Sequence, residues 1–129
     1  MGINMNARYH KEVKENCSWV RSHYGDVLKN LLKTRPNVTL IKGEVNSKTI
    51  EPEIEKKISI LRLDMDLYEP TIAVLENFYD RIEIGGSIII DDYGHYSGAR
   101  KATDEFFANN KKHLHFRHIN YSCIAATVF

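Results

Sequence analysis

The architecture follows from two stretches of sequence, ILRLDMD at residues 60–66 and SIIIDDY at residues 87–93. In each stretch a short apolar run ends in two acidic side chains. Short runs rich in Ile and Leu are typical of the buried strands of a parallel sheet. Open α/β sheets bind their ligands outside the carboxyl ends of the strands. We therefore expect both acidic groups to meet at one edge of a parallel sheet.

Carboxylates that meet in this way repel one another unless a cation or a proton lies between them. Three hard oxygen donors that leave room for water suit Mg²⁺. The sequence therefore predicts a magnesium site at this edge of the sheet. The alternative is that these are solvated carboxylates that end a strand or cap the next helix.

Composition places the chain among ordinary globular proteins, with 129 residues, 43% apolar and 27% charged, and a net charge of +1. A chain of this length is expected to form one domain. We expect no nucleic-acid partner, because the net charge is nearly zero. Cys17 and Cys123 lie far apart without a pairing motif, so we expect isolated thiols. No leader pattern or long apolar run is visible, and we expect a cytoplasmic protein without a membrane segment.

Hydrophobic periodicity and turn residues predict alternating helices and strands. In order, these are a helix over 13–33, strands over 38–41 and 58–63, a helix from Pro70, a strand over 87–90, a helix from Ser97, and strands over 114–119 and 123–129. Gly25 interrupts the first helix, Gly85 and Gly86 are expected to end the second, and Ser97 is expected to cap the third. The alternation predicts an α/β fold with an antiparallel carboxyl-terminal strand pair.

The runs LRLDMDLYEPT at 61–71 and GGSIIIDDYG at 85–94 together resemble the macrocin O-methyltransferase (TylF/MycF-like) family. These are class I, S-adenosylmethionine-dependent and Mg²⁺-dependent enzymes that methylate sugar hydroxyls of natural products. The resemblance spans about residues 38–107, the second half of such an enzyme. It implies a small-molecule hydroxyl acceptor, such as a sugar or another vicinal diol. The implied Mg²⁺ ligands are Asp64, Asp91 and Asp92, and the implied cofactor contacts are Gly43, Glu44, Val45, Asn46 and Asp64.

The resemblance also implies a way to activate the acceptor hydroxyl. Asp64 can accept the hydroxyl proton while the metal orients the oxygen. The related catechol-type enzymes carry a lysine base three residues after the first metal aspartate, where this chain has Leu67. His95 and Asp66 are therefore further candidates for the catalytic base.

The first part of the class I fold is not visible in the sequence. Residues 1–33 contain neither a glycine-rich turn after a strand nor a second strand that ends in an acidic residue. In the family's sheet order, 3-2-1-4-5-7-6, strands 1 and 2 lie between the strand predicted near 38–42 and that at 58–63. We therefore predict an incomplete Rossmann-like class I methyltransferase sheet. We expect a single domain over 1–129, with a helical segment over 1–36 and the carboxyl-terminal half of the fold over 37–129.

Two interpretations of function remain open. The chain is either a truncated or divergent O-methyltransferase or a non-catalytic remnant. A remnant would bind a partner chain or a second copy of itself through exposed strand edges. A nucleotide hydrolase is excluded, because the chain has no phosphate-binding G-x-x-x-x-G-K-[ST] loop.

Overall fold

The computed structural model describes residues 24–34, 37–39, 41, 43–46, 57–110 and 113–129. The chain divides into two compact units, Met1–Glu44 and Val45–Phe129. The predicted single-domain organisation stays a prediction, and the predicted helical residues 13–23 lie outside the described part. None of the helices among the described residues combines the length and apolar character needed to cross a bilayer.

The first unit contains one described helix, α1, over Tyr24–Thr34. Its half-buried apolar side chains, Val27, Leu28 and Leu31, recur at helical spacing. The strand predicted over 38–41 is wrong in its described part, because Val38, Thr39 and Ile41 form no strand. A strand needs neighbours for its backbone groups. The predicted sheet order separates this segment from β1 by two further strands, and neither is among the strands of the described residues.

The second unit is built around a four-stranded sheet. Its elements are β1 (Ile58–Leu63), α2 (Tyr68–Phe78), a 3₁₀ turn (Tyr79–Arg81), β2 (Ile82–Ile90), α3 (Ser97–Asn109), β3 (Arg117–His118) and β4 (Ile124–Thr127). The strand order is β1-β2-β4-β3, with β1 and β2 parallel and β4 antiparallel to both β2 and β3. The α/β class and the antiparallel strand pair are thereby confirmed. The order equals the 4-5-7-6 portion of the class I sheet.

The core lies between the sheet and the two helices that follow its parallel strands. Leu63 of β1 and Ile88 and Ile90 of β2 are buried. Tyr79 packs edge-to-face on Phe106 of α3 with ring centroids 5.4 Å apart. Burial of such side chains stabilises each by roughly 1.5–3 kcal/mol relative to exposure. The parallel strands are thus held against α2 and α3 by one continuous apolar cluster.

The glycine pair lies inside β2, so the prediction that it ends a helix is wrong. α2 ends at Phe78, and the 3₁₀ turn leads directly into Ile82. Gly85 has φ +86°, which favours glycine. Ile58 pairs with Ile82 and Ile60 with Ser87, so β2 carries extra residues that bulge at the glycines. The two glycines therefore form a bulge within β2, which is paired with β1 on both sides of it.

One predicted helix start shifts, whereas α3 begins at Ser97 as predicted and differs only in its N-cap. α2 begins at Tyr68, which makes Pro70 its third residue; the first four N–H groups of a helix lack intrahelical partners, so proline costs no bond there. The N-cap of α3 is Tyr96 rather than Ser97, and no side chain caps it. The Tyr96 N–H donates to the Asp92 carbonyl (2.9 Å), which fixes the turn that starts this helix.

We predict that Gly94→Ala destabilises the second unit by about 2 kcal/mol or more. The Gly94 N–H donates to the Ser122 carbonyl (2.7 Å), and a Cβ at Gly94 would lie 1.9 Å from the Tyr121 carbonyl oxygen. The turn after β2 would have to move away from the β3–β4 connection. Urea denaturation checks this prediction.

Gly25→Ala is the matched control, because no atom of a described residue lies within 4 Å of a Cβ added at Gly25. This control should leave the free energy of unfolding unchanged or raise it slightly. Equal stability of Gly94→Ala and the unchanged protein would contradict the close packing of these two turns.

Candidate acidic site

The carboxyl ends of the two parallel strands place acidic side chains at the same edge of the sheet. The Asp91 N–H donates to the Leu63 carbonyl (2.9 Å), which continues the β1–β2 pairing one residue beyond the strands. Carboxylate oxygens of Asp64, Asp66 and Asp92 lie within 4.8 Å of one another. The structure therefore brings Asp64 and Asp92 together and adds Asp66 to them. We call these three residues the acidic cluster.

Asp66 joins the cluster because its backbone takes an unusual conformation. Its φ is +50°, in the left-handed region that few non-glycine residues adopt. The Asp66 carbonyl accepts a hydrogen bond from the Ala99 N–H (3.2 Å). Gly98 permits this approach, since a Cβ there would lie 2.8 Å from the Tyr68 nitrogen. The D-x-D spacing was visible in the sequence, but the first turn of α3 fixes where Asp66 points.

Asp91, the remaining ligand implied by the resemblance, pairs with Arg62. Arg62 Nη2 donates to Asp91 Oδ2 and also to Asp64 Oδ2 at 2.9 Å. The hydrogen bond to Asp91 and the charges of Asp91 and Asp64 raise the pKa of Arg62. Asp91 is not part of the acidic cluster found among the described residues. Sequence reasoning missed Arg62, although it is the one charged side chain inside the first apolar run.

Asp92 carries a buried carboxylate oxygen within the cluster. Its Oδ2 is buried and has no hydrogen-bond partner among the described residues. Burial raises the pKa of Asp92 to about 7, and the charge of Asp66, a hydrogen bond with Asp66, and the charges of Asp64 and Asp91 add to the shift. A buried oxygen without a partner among three hard oxygen donors fits a divalent cation such as Mg²⁺.

His95, a candidate for the base, lies in the turn after Asp92. Its N–H donates to the Asp92 carbonyl (3.1 Å), and its exposed ring contacts aromatic neighbours. His95 Nδ1 lies 3.1 Å from Tyr121 Oη. The backbone thus ties His95 to the acidic cluster, while its ring is paired with Tyr121. A role for His95 as a base stays a prediction.

Two tyrosines anchor α3 to the acidic turns. Tyr68 Oη donates to Glu105 Oε2 (2.7 Å), and this bond raises the pKa of Tyr68. Tyr93 Oη donates to Asp104 Oδ1 (2.8 Å); burial first, and then this bond, raise the pKa of Tyr93. Helix α3 thus contacts the turn that follows β1 and the turn that follows β2, and it holds both in place. Both phenols remain protonated donors at neutral pH.

The predicted cofactor segment lies at the division between the two units. Gly43, Glu44 and Val45 are exposed and Asn46 is half-buried, and none of the four belongs to a helix or strand. Glu44 ends the first unit and Val45 begins the second. The cofactor contacts assigned to this segment stay predictions.

The fold is that of an O-methyltransferase of known structure. The chain superposes on the O-methyltransferase NovP with a TM-score of 0.77 and 23% sequence identity, over 98% of this chain and 52% of NovP. This likeness shows the architecture. It also shows that the chain spans about half the length of that structure.

Residues 9–127 match the model of the macrocin-O-methyltransferase (TylF) family, and the chain belongs to that family. Demethyldecarbamoylnovobiocin O-methyltransferase of Streptomyces niveus is 41% identical over 51 residues, which are 40% of this chain and 20% of that enzyme. A 4'-O-methyltransferase of Streptomyces olivaceus that is named for a rhamnosyl-tetracenomycin C is 51% identical over 37 residues, 29% of this chain and 14% of the enzyme. The family predicted from the two acidic blocks is thereby confirmed.

We predict that, without added metal, Asp92→Asn stabilises the protein at pH 8 but not at pH 5. The folded-state pKa of Asp92 is about 7, against 3.8 as the ordinary value. The folded state therefore binds more protons between these values, and stability falls as pH rises through about 7. The gain at pH 8 should be about 1–2 kcal/mol, below the full linkage value because Asp92 is only partly buried.

Urea denaturation at both pH values in the presence of EDTA checks this prediction. Glu76→Gln is the matched control, because Glu76 is an exposed carboxylate on α2 of the same unit. The difference between Glu76→Gln and the unchanged protein should be the same at pH 5 and pH 8. A pH-independent effect of Asp92→Asn would contradict the raised pKa.

Proposed function

We propose that this chain is the metal-binding and acceptor-binding half of an S-adenosylmethionine-dependent, Mg²⁺-dependent O-methyltransferase. The acceptor would be a hydroxyl of a sugar or another vicinal diol. Membership of the TylF family and the meeting of three carboxylates at the carboxyl edge of β1 and β2 support this proposal. The single observation behind the metal site is that these three carboxylates lie close together, because membership of the family indicates only the class of reaction.

Asp64 has the properties that the proton-accepting step requires. Its side chain is 56% exposed, so a substrate hydroxyl can reach it. The Arg62 guanidinium, 2.9 Å away, holds the Asp64 carboxylate in a fixed position at this edge of the sheet. In methyl transfer the acceptor oxygen forms a bond to the methyl carbon, the carbon–sulfur bond breaks, and the hydroxyl proton passes to a base. Asp64 would take that proton.

The acidic cluster and Asp91 would hold the metal. Asp64 and Asp92 belong both to the ligand set implied by the resemblance and to the cluster. The third ligand would be Asp66 by geometry or Asp91 by resemblance, and Asp91 would first have to leave Arg62. Bound Mg²⁺ supplies positive charge that lowers the pKa of a neighbouring hydroxyl, and S-adenosylmethionine supplies an electrophilic methyl group. The raised pKa of Asp92 supports this assignment, since a nearby cation would restore its ionised form.

The decisive experiment is a calorimetric titration of the full chain with Mg²⁺ and, separately, with S-adenosylhomocysteine. Asp64→Asn and Asp92→Asn should each weaken Mg²⁺ binding at least about tenfold, because each removes a charged oxygen ligand. Glu76→Gln, which changes an exposed carboxylate on α2, should bind Mg²⁺ as the unchanged protein does. Of Asp66→Asn and Asp91→Asn, the variant with the larger loss identifies the third ligand.

The titration also separates a complete site from a half-site. Binding of S-adenosylhomocysteine would support an assembled cofactor pocket, in which Gly43 to Asn46 would be tested next. Mg²⁺ binding without cofactor binding would support a half-site. If a folded chain binds neither ligand, or if Asp64→Asn and Asp92→Asn bind Mg²⁺ normally, the methyltransferase proposal is wrong for this chain.

A non-catalytic, partner-binding role is the second candidate, and the edge of the sheet favours it. β1 has β2 on one side and no paired strand on the other among the described residues. Ile60, in the middle of this edge strand, is 66% exposed. An exposed strand edge with an apolar side chain can pair with another polypeptide. The chain would then act as an oligomerising or partner-binding module.

We predict that Ile60→Lys reduces self-association if this edge forms contacts between copies. Charged side chains on edge strands oppose edge-to-edge pairing. Sedimentation velocity over a range of concentrations measures the effect, with Lys57→Glu as a control that places a charge beside the strand rather than within it. A chain that remains monomeric at every concentration would contradict the oligomeric form of this second candidate.

A further inference from the structure

A group of aromatic side chains, two exposed and one half-buried, lies at the same edge of the sheet as the acidic cluster. It consists of His95, Tyr96 and Tyr121, which we call the aromatic corner. His95 and Tyr96 follow the acidic pair and donate their N–H groups to the Asp92 carbonyl at 3.1 and 2.9 Å. Tyr121 comes from the β3–β4 connection, at the end of β4 that pairs with the carboxyl end of β2. Two separate parts of the chain thus build this surface.

The aromatic corner is held together by its own contacts. The His95 ring stands nearly perpendicular to Tyr96 (87°, centroids 4.6 Å apart) and to Tyr121 (86°, 5.7 Å). Tyr121 Oη lies 3.1 Å from His95 Nδ1. The Gly94 N–H fixes the two turns to each other through the Ser122 carbonyl (2.7 Å). The rings therefore keep a defined arrangement.

Tyr121 remains 74% exposed despite these contacts. Tyrosine side chains that are exposed and held in a defined arrangement are enriched in binding surfaces. Tyrosine and histidine both offer an apolar ring and a polar tip. This combination suits a ligand with an apolar face of C–H groups and hydroxyls at its rim.

We propose that the aromatic corner is the acceptor-positioning surface of this chain, against which the C–H face of a sugar ring packs. Tyr121 Oη and the His95 imidazole would exchange hydrogen bonds with ring hydroxyls. The backbone bonds to Asp92 keep this surface in fixed relation to the acidic cluster, so one hydroxyl of the packed ring can face Asp64. This inference rests on the proposed function for the identity of the ligand, a glycoside acceptor. His95 then acts as a positioning residue.

The test is a titration of the full chain with methyl α-L-rhamnopyranoside, observed by saturation-transfer difference NMR. The unchanged protein should show saturable binding, with the strongest transfer to the ring C–H protons. Tyr121→Ala should raise the dissociation constant roughly 3- to 10-fold, the range of one aromatic contact. Tyr121→Phe should raise it less, because the ring remains, and His95→Ala should lie between the two.

Phe129→Ala is the matched control. Phe129 is 85% exposed and follows Val128, which pairs with Gly85 and Gly86 at the opposite end of β2. Its substitution should leave binding of the glycoside unchanged. The melting temperature of Tyr121→Ala should stay within about 2 °C of the unchanged protein, since an exposed side chain adds little to stability. A loss of binding at constant melting temperature excludes a merely structural role.

The proposal is overturned if the unchanged protein shows no saturable binding, or if Tyr121→Ala binds the glycoside as tightly as the unchanged protein. Mg²⁺ titration of the same samples separates this failure from failure of the proposed function. If Mg²⁺ binds normally and Tyr121→Ala does not change glycoside binding, only the role of the aromatic corner is rejected. The methyltransferase proposal would then still stand. Binding of the glycoside that depends on Tyr121, without any Mg²⁺ binding, would support the aromatic corner and contradict the metal site.

Discussion

The in-register parallel pairing of β1 with β2 is the constraint on which the site depends. Leu61 pairs with Ile88 and Leu63 with Ile90, and the Asp91 N–H extends this ladder to the Leu63 carbonyl. Side chains alternate between the faces of a strand, so a slip of one residue would expose the buried set. The core therefore fixes the register, and the register brings the acidic ends of both strands to one edge. The extra residues at Gly85 and Gly86 lie in the middle of β2, before the in-register pairs that begin at Ser87, and leave this pairing undisturbed.

Helix α3 is the second constraint, because it locks the turns that follow both strands. Gly98 allows its first turn to approach Asp66, and Tyr68 and Tyr93 bind its outer side through Glu105 and Asp104. A left-handed residue such as Asp66 costs of order 1–3 kcal/mol. The hydrogen bonds to α3 offset this cost and hold the side chain within the acidic cluster. Strain of this kind is concentrated at binding sites, in agreement with the role proposed for the cluster.

The carboxyl edge of β1 and β2 carries more negative than positive charge, which favours binding of a cation. Arg62 neutralises part of the charge of Asp64 and Asp91 from an exposed position. Among the described residues the buried oxygen of Asp92 has no hydrogen-bond partner, and burial together with the neighbouring carboxylates raises the pKa of Asp92. The aromatic corner beside this charge adds a surface for an uncharged, hydroxyl-rich ligand. A half-site with a cation position and an acceptor surface is consistent with a chain that spans about half of the related structure.

The sequence by itself determined the α/β class, β1 to the residue, the antiparallel strand pair and the family, because each depends on local periodicity or on a short motif. It also predicted that Asp64 and Asp92 would lie close together, because each follows the end of a strand of the sheet. Tertiary structure alone placed the bulge at the glycines, the pairing of Arg62 with Asp91, the inclusion of Asp66, and the contact between His95 and Tyr121. These features join residues that are distant in the chain or depend on backbone angles set by packing. Local patterns cannot encode them, since the same residues in another register would make different contacts.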